Sequence, residues 1–137
     1  AGLRLGWGYS SKEIIDSMYK IKPPFNVNRA VLAAGAAAIK DDEWTQKAID
    51  HNTLWAKKIF SILKEYNIKT NEPAVNFFLM NFDETKINSD EAFEKLAADK
   101  LIVRKMTQYK IPNSLRLTIG NKEANENFIK SMGSILK

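Results

Sequence analysis

The sequence predicts an α+β fold in which a small sheet is covered by helices on one face. Three observations lead to this prediction: a long amphipathic segment in the middle of the chain, short apolar segments after residue 71, and the order strand, helix, strand, strand, helix from there onward. The chain has 137 residues, of which 45% are hydrophobic and 27% charged, so it can bury one core.

The first predicted element is a strand over residues 3–8. Its side chains alternate, so that Leu3 and Leu5 would share one face while Arg4 stands on the other beside Gly6 and Gly8. A guanidinium next to glycines has room for a planar anion held by two parallel hydrogen bonds. An arginine that simply extends into solvent is the alternative.

Two helices are predicted next. Ser10 and Glu13 fit a capping box, which predicts a helix from there to about residue 21, before a Pro-Pro pair. Asn28 is placed to cap a second helix over 29–40. The alanine-rich run of this helix is small enough for another backbone to approach closely.

A third helix is predicted over residues 43–66. It carries an apolar stripe at helical spacing, made of Trp44, Ala48, Trp55, Ile59, Ile62 and Tyr66. His51 lies at the edge of this stripe without a second histidine or carboxylate at ligand spacing, so we assign it no chemistry.

Beyond residue 71 the pattern changes to strands and shorter helices. We predict strands over 74–82, 101–104 and 114–119, with a polar loop over 83–88 and a turn at 112–113. Ser89 is expected to cap the helix between the first two strands, and Asn121 a closing helix. The face of the closing helix would hold Ala124, Phe128, Met132 and Ile135.

The strand over 114–119 repeats the two-faced pattern of residues 3–8. Arg116 would stand beside Thr118 and Gly120, with the leucines on the opposite face. Arg4 and Arg116 are therefore predicted to converge after folding around one small anion. A third arginine, Arg104, lies in the predicted strand before the turn.

Composition excludes several other classes of function. The chain has no cysteine, so disulfides and thiolate metal sites are absent. Its net charge of +5 comes from 21 basic residues interleaved with 16 acidic ones, which favours a solvated surface over a nucleic-acid interface. No apolar run reaches the roughly 20 residues of a membrane span. There is no phosphate-binding glycine loop, zinc-binding pair or nucleophile elbow, and we predict no metal site.

Several segments resemble one enzyme family in order and spacing. They are AGLRLGWGY at the start, PPFNVN at 23–28, VNFFLM at 75–80, LIVRKM at 101–106 and IPNSLRLTIG at 111–120. Together they resemble the carboxy-terminal part of the histidinol-phosphate aminotransferases, which are pyridoxal 5'-phosphate (PLP) enzymes of fold type I. The resemblance covers essentially the whole chain.

This resemblance implies a role for each of three arginines. Arg4, in GLRLG, resembles the arginine that holds the phosphate of the cofactor. Arg116, in LRLTIG, resembles the one that binds the carboxylate of the amino-acid substrate. Arg104, in LIVRK, matches an arginine on the substrate side, a partner for the phosphate group of histidinol phosphate. No residue of this chain is assigned a catalytic role.

The resemblance also implies that the chain is a fragment. The lysine that forms the Schiff base with the cofactor would lie upstream, and neither Lys12 nor Lys105 replaces it, so we expect the fragment alone to be inactive. The absence of an initiator methionine leads to the same expectation. Residues 1–66 would then belong to the end of the large domain with its connecting helices, and 67–137 to the small domain.

The implied enzyme is a cytoplasmic homodimer of histidine biosynthesis that uses histidinol phosphate, glutamate and 2-oxoglutarate. An aromatic aminotransferase or a threonine-phosphate decarboxylase would share the same frame. An alternative from another class is a noncatalytic α+β module that binds nucleic acid through its basic surface. Tight binding of DNA with a steep dependence on salt would favour that module.

Overall fold

The computed structural model describes residues 2–136, so Ala1 and Lys137 lie outside the described residues. In chain order the elements are α1 (Lys12–Ile21), α2 (Arg29–Ile39), α3 (Asp42–Glu65), β1 (Phe77–Asn81), α4 (Ser89–Ala98), β2 (Arg104–Lys105), β3 (Ser114–Thr118) and α5 (Lys122–Leu136). A 3₁₀ turn, Thr107–Tyr109, separates β2 from β3. The chain divides into two compact units between Gln46 and Lys47, within α3. The domain boundary expected at 67–73 stays a prediction.

The helices of residues 2–46 begin close to the predicted positions. The side chain of Asn28 accepts a hydrogen bond from the backbone nitrogen of Val31 at 2.9 Å, so the predicted cap of α2 is confirmed. The first helix starts one residue later than predicted, after Ser11, whose side chain makes no capping hydrogen bond. The capping box predicted at Ser10 is therefore wrong.

Residues 3–8 do not form the predicted strand. Gly2 and Leu3 lie in a turn, and the residues from Arg4 to Gly8 have no regular secondary structure. The backbone of Arg4 is left-handed, with a φ of 58°, whereas a strand requires a strongly negative φ. An alternating pattern becomes a strand only when another strand pairs with it, and no strand is formed within residues 2–46.

The sheet lies in residues 47–136 and confirms the predicted α+β class. Its three strands are antiparallel in the order β1-β3-β2, with Phe78 opposite Leu117 and Met80 opposite Leu115. The second strand is shorter and later than predicted, because only Arg104 and Lys105 have partners on β3.

The core of this unit lies on one face of the sheet, against α3, α4 and α5. It is formed by buried side chains from these helices and strands, including Ile59, Leu63, Phe78, Met80, Leu96, Leu115, Phe128 and Met132. Trp55 and Ile59 of the predicted α3 stripe are buried, but Trp44 is 69% exposed and Leu63 is fully buried in the core. The buried part of the stripe therefore lies in the second half of α3, over residues 55–63.

The loop after β1 is tied down by asparagine side chains. Asn113, which has a φ of 44°, accepts a hydrogen bond from the backbone of Ser89 at 2.7 Å and donates one to Asp83 at 2.8 Å. The cap of α4 is Asn88 in a capping box with Glu91, not the predicted Ser89.

Asp83 should make the stability of the chain depend on acidic pH. Hydrogen bonds from Asn113 and then Asn81, with a smaller contribution from Lys69, hold the pKa of its carboxyl below the ordinary 3.8. A folded-state pKa below the unfolded one gives stability that is present above about pH 4 and lost as the pH falls through the lowered pKa. Thermal midpoints should therefore fall less steeply in acid for Asp83→Asn than for the parent chain. Glu84→Gln, at the exposed neighbouring position, is the control, and an identical pH profile for Asp83→Asn would contradict the assignment.

Candidate functional site

Arg116 occupies the middle of the central strand of the sheet. Its neighbours along β3, Leu115 and Leu117, are buried in the core, so Arg116 points to the opposite, open face, as the alternation predicts. The side chain is half-buried, and its Cζ lies 5.3 Å from the centre of the Phe77 ring. Its Nε is buried and has no hydrogen-bond partner among residues 2–136. A buried donor without a hydrogen-bond partner lowers the stability of the fold, so the position of Arg116 is unfavourable for stability alone.

Arg104 faces Arg116 directly across the β2–β3 pair. Its Nε and Nη2 donate to the side-chain oxygen of Gln108 at 3.2 and 2.7 Å, with that amide oriented to accept them. Its Cζ lies 5.2 Å from the centre of the Tyr109 ring. Like charges at directly opposed positions destabilise a sheet, and an anion between or beside them removes that repulsion.

A surface cavity of about 490 Å³ lies at this pair of arginines. It is lined by Phe93, Ile102, Val103, Arg104, Lys105, Arg116 and Thr118. The ammonium group of Lys105 is held by Asp90 at 2.7 Å, so the two guanidinium groups are the cations best placed to bind a ligand. The structure thus brings together two of the three predicted arginines.

Arg4 lies in the other compact unit, and its surroundings are described separately. Its side chain is exposed. The space beside Gly6 and Gly8 is open, since a Cβ on either would have no atom within 4 Å. An exposed guanidinium can bind a phosphate group, which is the part of PLP that the resemblance assigns to Arg4. Convergence of Arg4 with Arg116 stays a prediction.

His51 has a structural partner in its own unit. Its Nε2 lies 2.8 Å from the carbonyl oxygen of Gly120, and its ring packs 6.3 Å from that of Trp55. The side chain of Asn125 accepts from the backbone nitrogen of Gly120 at 2.9 Å and donates to its carbonyl oxygen at 3.0 Å. These contacts hold the end of β3 and the start of α5, which accounts for His51 without assigning it any chemistry.

Sequence analysis missed the aromatic and amide groups around the arginines. Phe77 could have been found, because the alternation of β1 places it on the face opposite the buried Phe78. Gln108 and Tyr109 could not, since they reach Arg104 from an unpredicted 3₁₀ turn. No group of three histidine or acidic side chains within residues 2–136 could hold a metal ion. No helix in the same range is long and apolar enough to cross a membrane.

Residues 47–136 thus form an α+β unit whose open sheet face carries two opposed arginines. Residues 1–132 match the model of the family described as aminotransferase class I and II, and the chain belongs to this family.

Curated relatives named histidinol-phosphate aminotransferase match almost the whole chain. The histidinol-phosphate aminotransferase of Pelagibacter ubique is 40% identical over 136 residues, covering 98% of this chain and 38% of that protein. The histidinol-phosphate aminotransferase of Campylobacter jejuni is 38% identical, covering 99% of this chain and 36% of that protein. The chain therefore spans little more than a third of the length of these relatives.

Solved structures share the fold. The histidinol-phosphate aminotransferase of Clostridium acetobutylicum superposes with a TM-score of 0.77 at 17% identity, over 90% of this chain and 38% of that one. A tetra mutant of the Thermus thermophilus aspartate aminotransferase gives a TM-score of 0.76 at 17% identity, over 98% of this chain and 39% of that one. The chain therefore has the fold of aminotransferases, as predicted.

Proposed function

We propose that this chain is the carboxy-terminal part of a PLP-dependent aminotransferase that transfers an amino group between histidinol phosphate and 2-oxoglutarate in histidine biosynthesis. The observation that carries the proposal is the pair of guanidinium groups, Arg104 and Arg116, opposed across two strands at one cavity. The histidinol-phosphate aminotransferases among the relatives support the same substrate class.

Each arginine is assigned to an anionic group of the substrates. Arg116 would bind the carboxylate of the amino-acid substrate, since it lines the cavity on the open face of the sheet and the Phe77 ring lies beside its guanidinium group. Arg104 would bind the phosphate of histidinol phosphate, because it is exposed at the edge of the sheet. The two residues would thus provide binding groups for the anions of both the amino-acid substrate and histidinol phosphate.

Arg4 would hold the phosphate of the cofactor. When bound, PLP supplies the electron-withdrawing ring on which the amino group is transferred. The residues of this chain would contribute binding and orientation: Arg4 anchors the cofactor, while Arg104 and Arg116 position the substrate. No residue of this chain is proposed to transfer a proton or to attach the cofactor covalently.

The proposal includes the partners implied by the sequence. These partners are PLP, histidinol phosphate, glutamate, 2-oxoglutarate and a second copy of the subunit. We also propose a cytoplasmic location. Molecular mass in solution, measured on the complete protein that contains this chain, tests the dimer.

Arg104→Ala should separate phosphate recognition from the rest of catalysis. In the complete protein, we expect kcat/KM for histidinol phosphate to fall at least about tenfold, because a hydrogen bond to a charged group contributes about 1.5–3 kcal/mol. Amino transfer from an aromatic amino acid, which has no phosphate, should change much less. Steady-state kinetics with 2-oxoglutarate as the acceptor measures both.

Arg29→Ala, at an exposed arginine of α2, is the matched control and should leave both reactions unchanged. If the parent protein transaminates aromatic amino acids but not histidinol phosphate, the substrate assignment is wrong. Release of carbon dioxide from threonine phosphate would instead favour the decarboxylase.

A further inference from the structure

The backbone of Arg4 adopts a conformation that its residue type disfavours. A φ of 58° places it in the left-handed region, where the Cβ of any residue but glycine crowds the following carbonyl oxygen. Such a residue stays there only when its surroundings hold it, and strained residues concentrate at binding sites. The contacts that hold Arg4 are therefore relevant to what its guanidinium can bind.

The next residue, Leu5, packs against α2 at Gly35. Both are half-buried, whereas most of residues 2–46 are exposed. A Cβ built on Gly35 would overlap Leu5 Cδ2 and lie 3.6 Å from Leu5 Cγ. The side chain of Leu5 thus occupies the space that any larger residue at position 35 would need.

Gly35 is not required by its own backbone. It lies inside α2, and no glycine among residues 2–136 has a positive φ. In a helix interior, glycine is less favourable than alanine, so this position weakens α2. The neighbouring positions of α2 carry alanine. The close approach of Leu5 accounts for the one exception.

We propose that Gly35 is a positioning residue for the binding of the PLP phosphate. It would influence this binding indirectly, through the packing of Leu5 and the backbone conformation of Arg4. By leaving room for Leu5, it fixes the chain immediately after Arg4 and so keeps Arg4 in the left-handed conformation that presents its guanidinium. This inference rests on the proposed function, because it takes Arg4 as the residue that binds the cofactor phosphate.

The test compares two cofactor forms that differ only in the phosphate. In the complete protein, Gly35→Ala should weaken PLP about tenfold, while the affinity for pyridoxal, which has no phosphate, stays the same. Equilibrium titration followed by cofactor absorbance measures both dissociation constants. Gly2→Ala is the matched control, since a Cβ there has no atom within 4 Å, and it should change neither constant.

A second variant removes the side chain of Leu5, which packs against Gly35, and adds no atoms. Leu5→Ala should produce the same phosphate-selective loss, and it decides the matter if Gly35→Ala fails to fold. In the double variant, the Cβ at position 35 no longer overlaps a leucine side chain. The loss of PLP affinity should therefore be smaller than the product of the losses in the two single variants. Equal weakening of PLP and pyridoxal in both single variants would indicate a merely structural role and overturn the inference.

Arg4→Ala distinguishes failure of this inference from failure of the proposed function. If Arg4→Ala leaves the ratio of the two dissociation constants unchanged, Arg4 does not bind the phosphate and the functional assignment fails. If Arg4→Ala changes the ratio while Gly35→Ala and Leu5→Ala behave like Gly2→Ala, the function stands and the positioning role is wrong.

Discussion

In the complete protein, Arg116→Ala should lower kcat/KM for the amino-acid substrate about 100-fold while leaving the cofactor bound. Removing one partner of a buried, hydrogen-bonded charge pair costs roughly 2–5 kcal/mol, and a factor of 100 corresponds to about 2.8 kcal/mol. The effect should exceed that of Arg104→Ala, because Arg116 is half-buried with an unpartnered Nε whereas Arg104 is exposed and already donates to Gln108. Steady-state kinetics with glutamate, together with cofactor absorbance, measures both parts of the prediction.

Arg116→Lys is the informative companion variant. It keeps the positive charge but loses the planar fork that grips a carboxylate through two hydrogen bonds and stacks on Phe77. We expect an intermediate loss, nearer to alanine than to arginine. Unchanged kinetics for glutamate in Arg116→Ala would remove this residue from the substrate site, and loss of cofactor with intact substrate affinity would reverse the assignment.

Phe78→Ala should destabilise the fold by about 3–5 kcal/mol, the usual range for truncating a buried phenylalanine. The side chain is 1% exposed and lies in the core between the sheet and the helices. Neighbouring Phe77 points to the open face and is 39% exposed, so Phe77→Ala should cost much less, about 1 kcal/mol. Denaturant unfolding of the 137-residue chain, followed by far-UV circular dichroism, compares the two.

Comparing Phe77→Ala with Phe78→Ala also tests which side chains of β1 point into the core. The strand register places Phe77 opposite Thr118 and Phe78 opposite Leu117, so a shift by one residue would exchange their environments. Equal losses for the two substitutions, or a larger loss for Phe77→Ala, would contradict the register.

The sequence was sufficient for those elements whose signals are local. The cap of α2 at Asn28 and that of α5 at Asn121 follow from short-range hydrogen bonds, and Asn121 accepts from the backbone of Ala124 at 2.9 Å as predicted. The orientation of Arg116 follows from alternation along β3. Each of these features depends on residues within four positions of one another.

Features that depend on distant partners were not predicted. The alternating pattern of residues 3–8 suggested a strand, but Leu3 lies in a turn and the residues from Arg4 to Gly8 have no regular secondary structure. The opposition of Arg104 and Arg116 needed the β2–β3 register, which was unknown because the predicted strand over 101–104 ended where the observed pairing begins. The close approach of Leu5 to Gly35 was not predicted either, since no local signal places Leu5 against the alanine-rich helix.

The order of the strands places the two opposed arginines on backbone segments with different numbers of neighbouring strands. Strand β3 has a neighbour on each side, whereas β2 is a two-residue edge strand paired on one side only. The main chain at Arg116 is therefore more rigid than that at Arg104. An edge strand with few interstrand hydrogen bonds opens at a lower free-energy cost than a central strand. In the proposed substrate site, a stiff strand at Arg116 and an edge that opens more easily at Arg104 would let one cavity accommodate acids of different length.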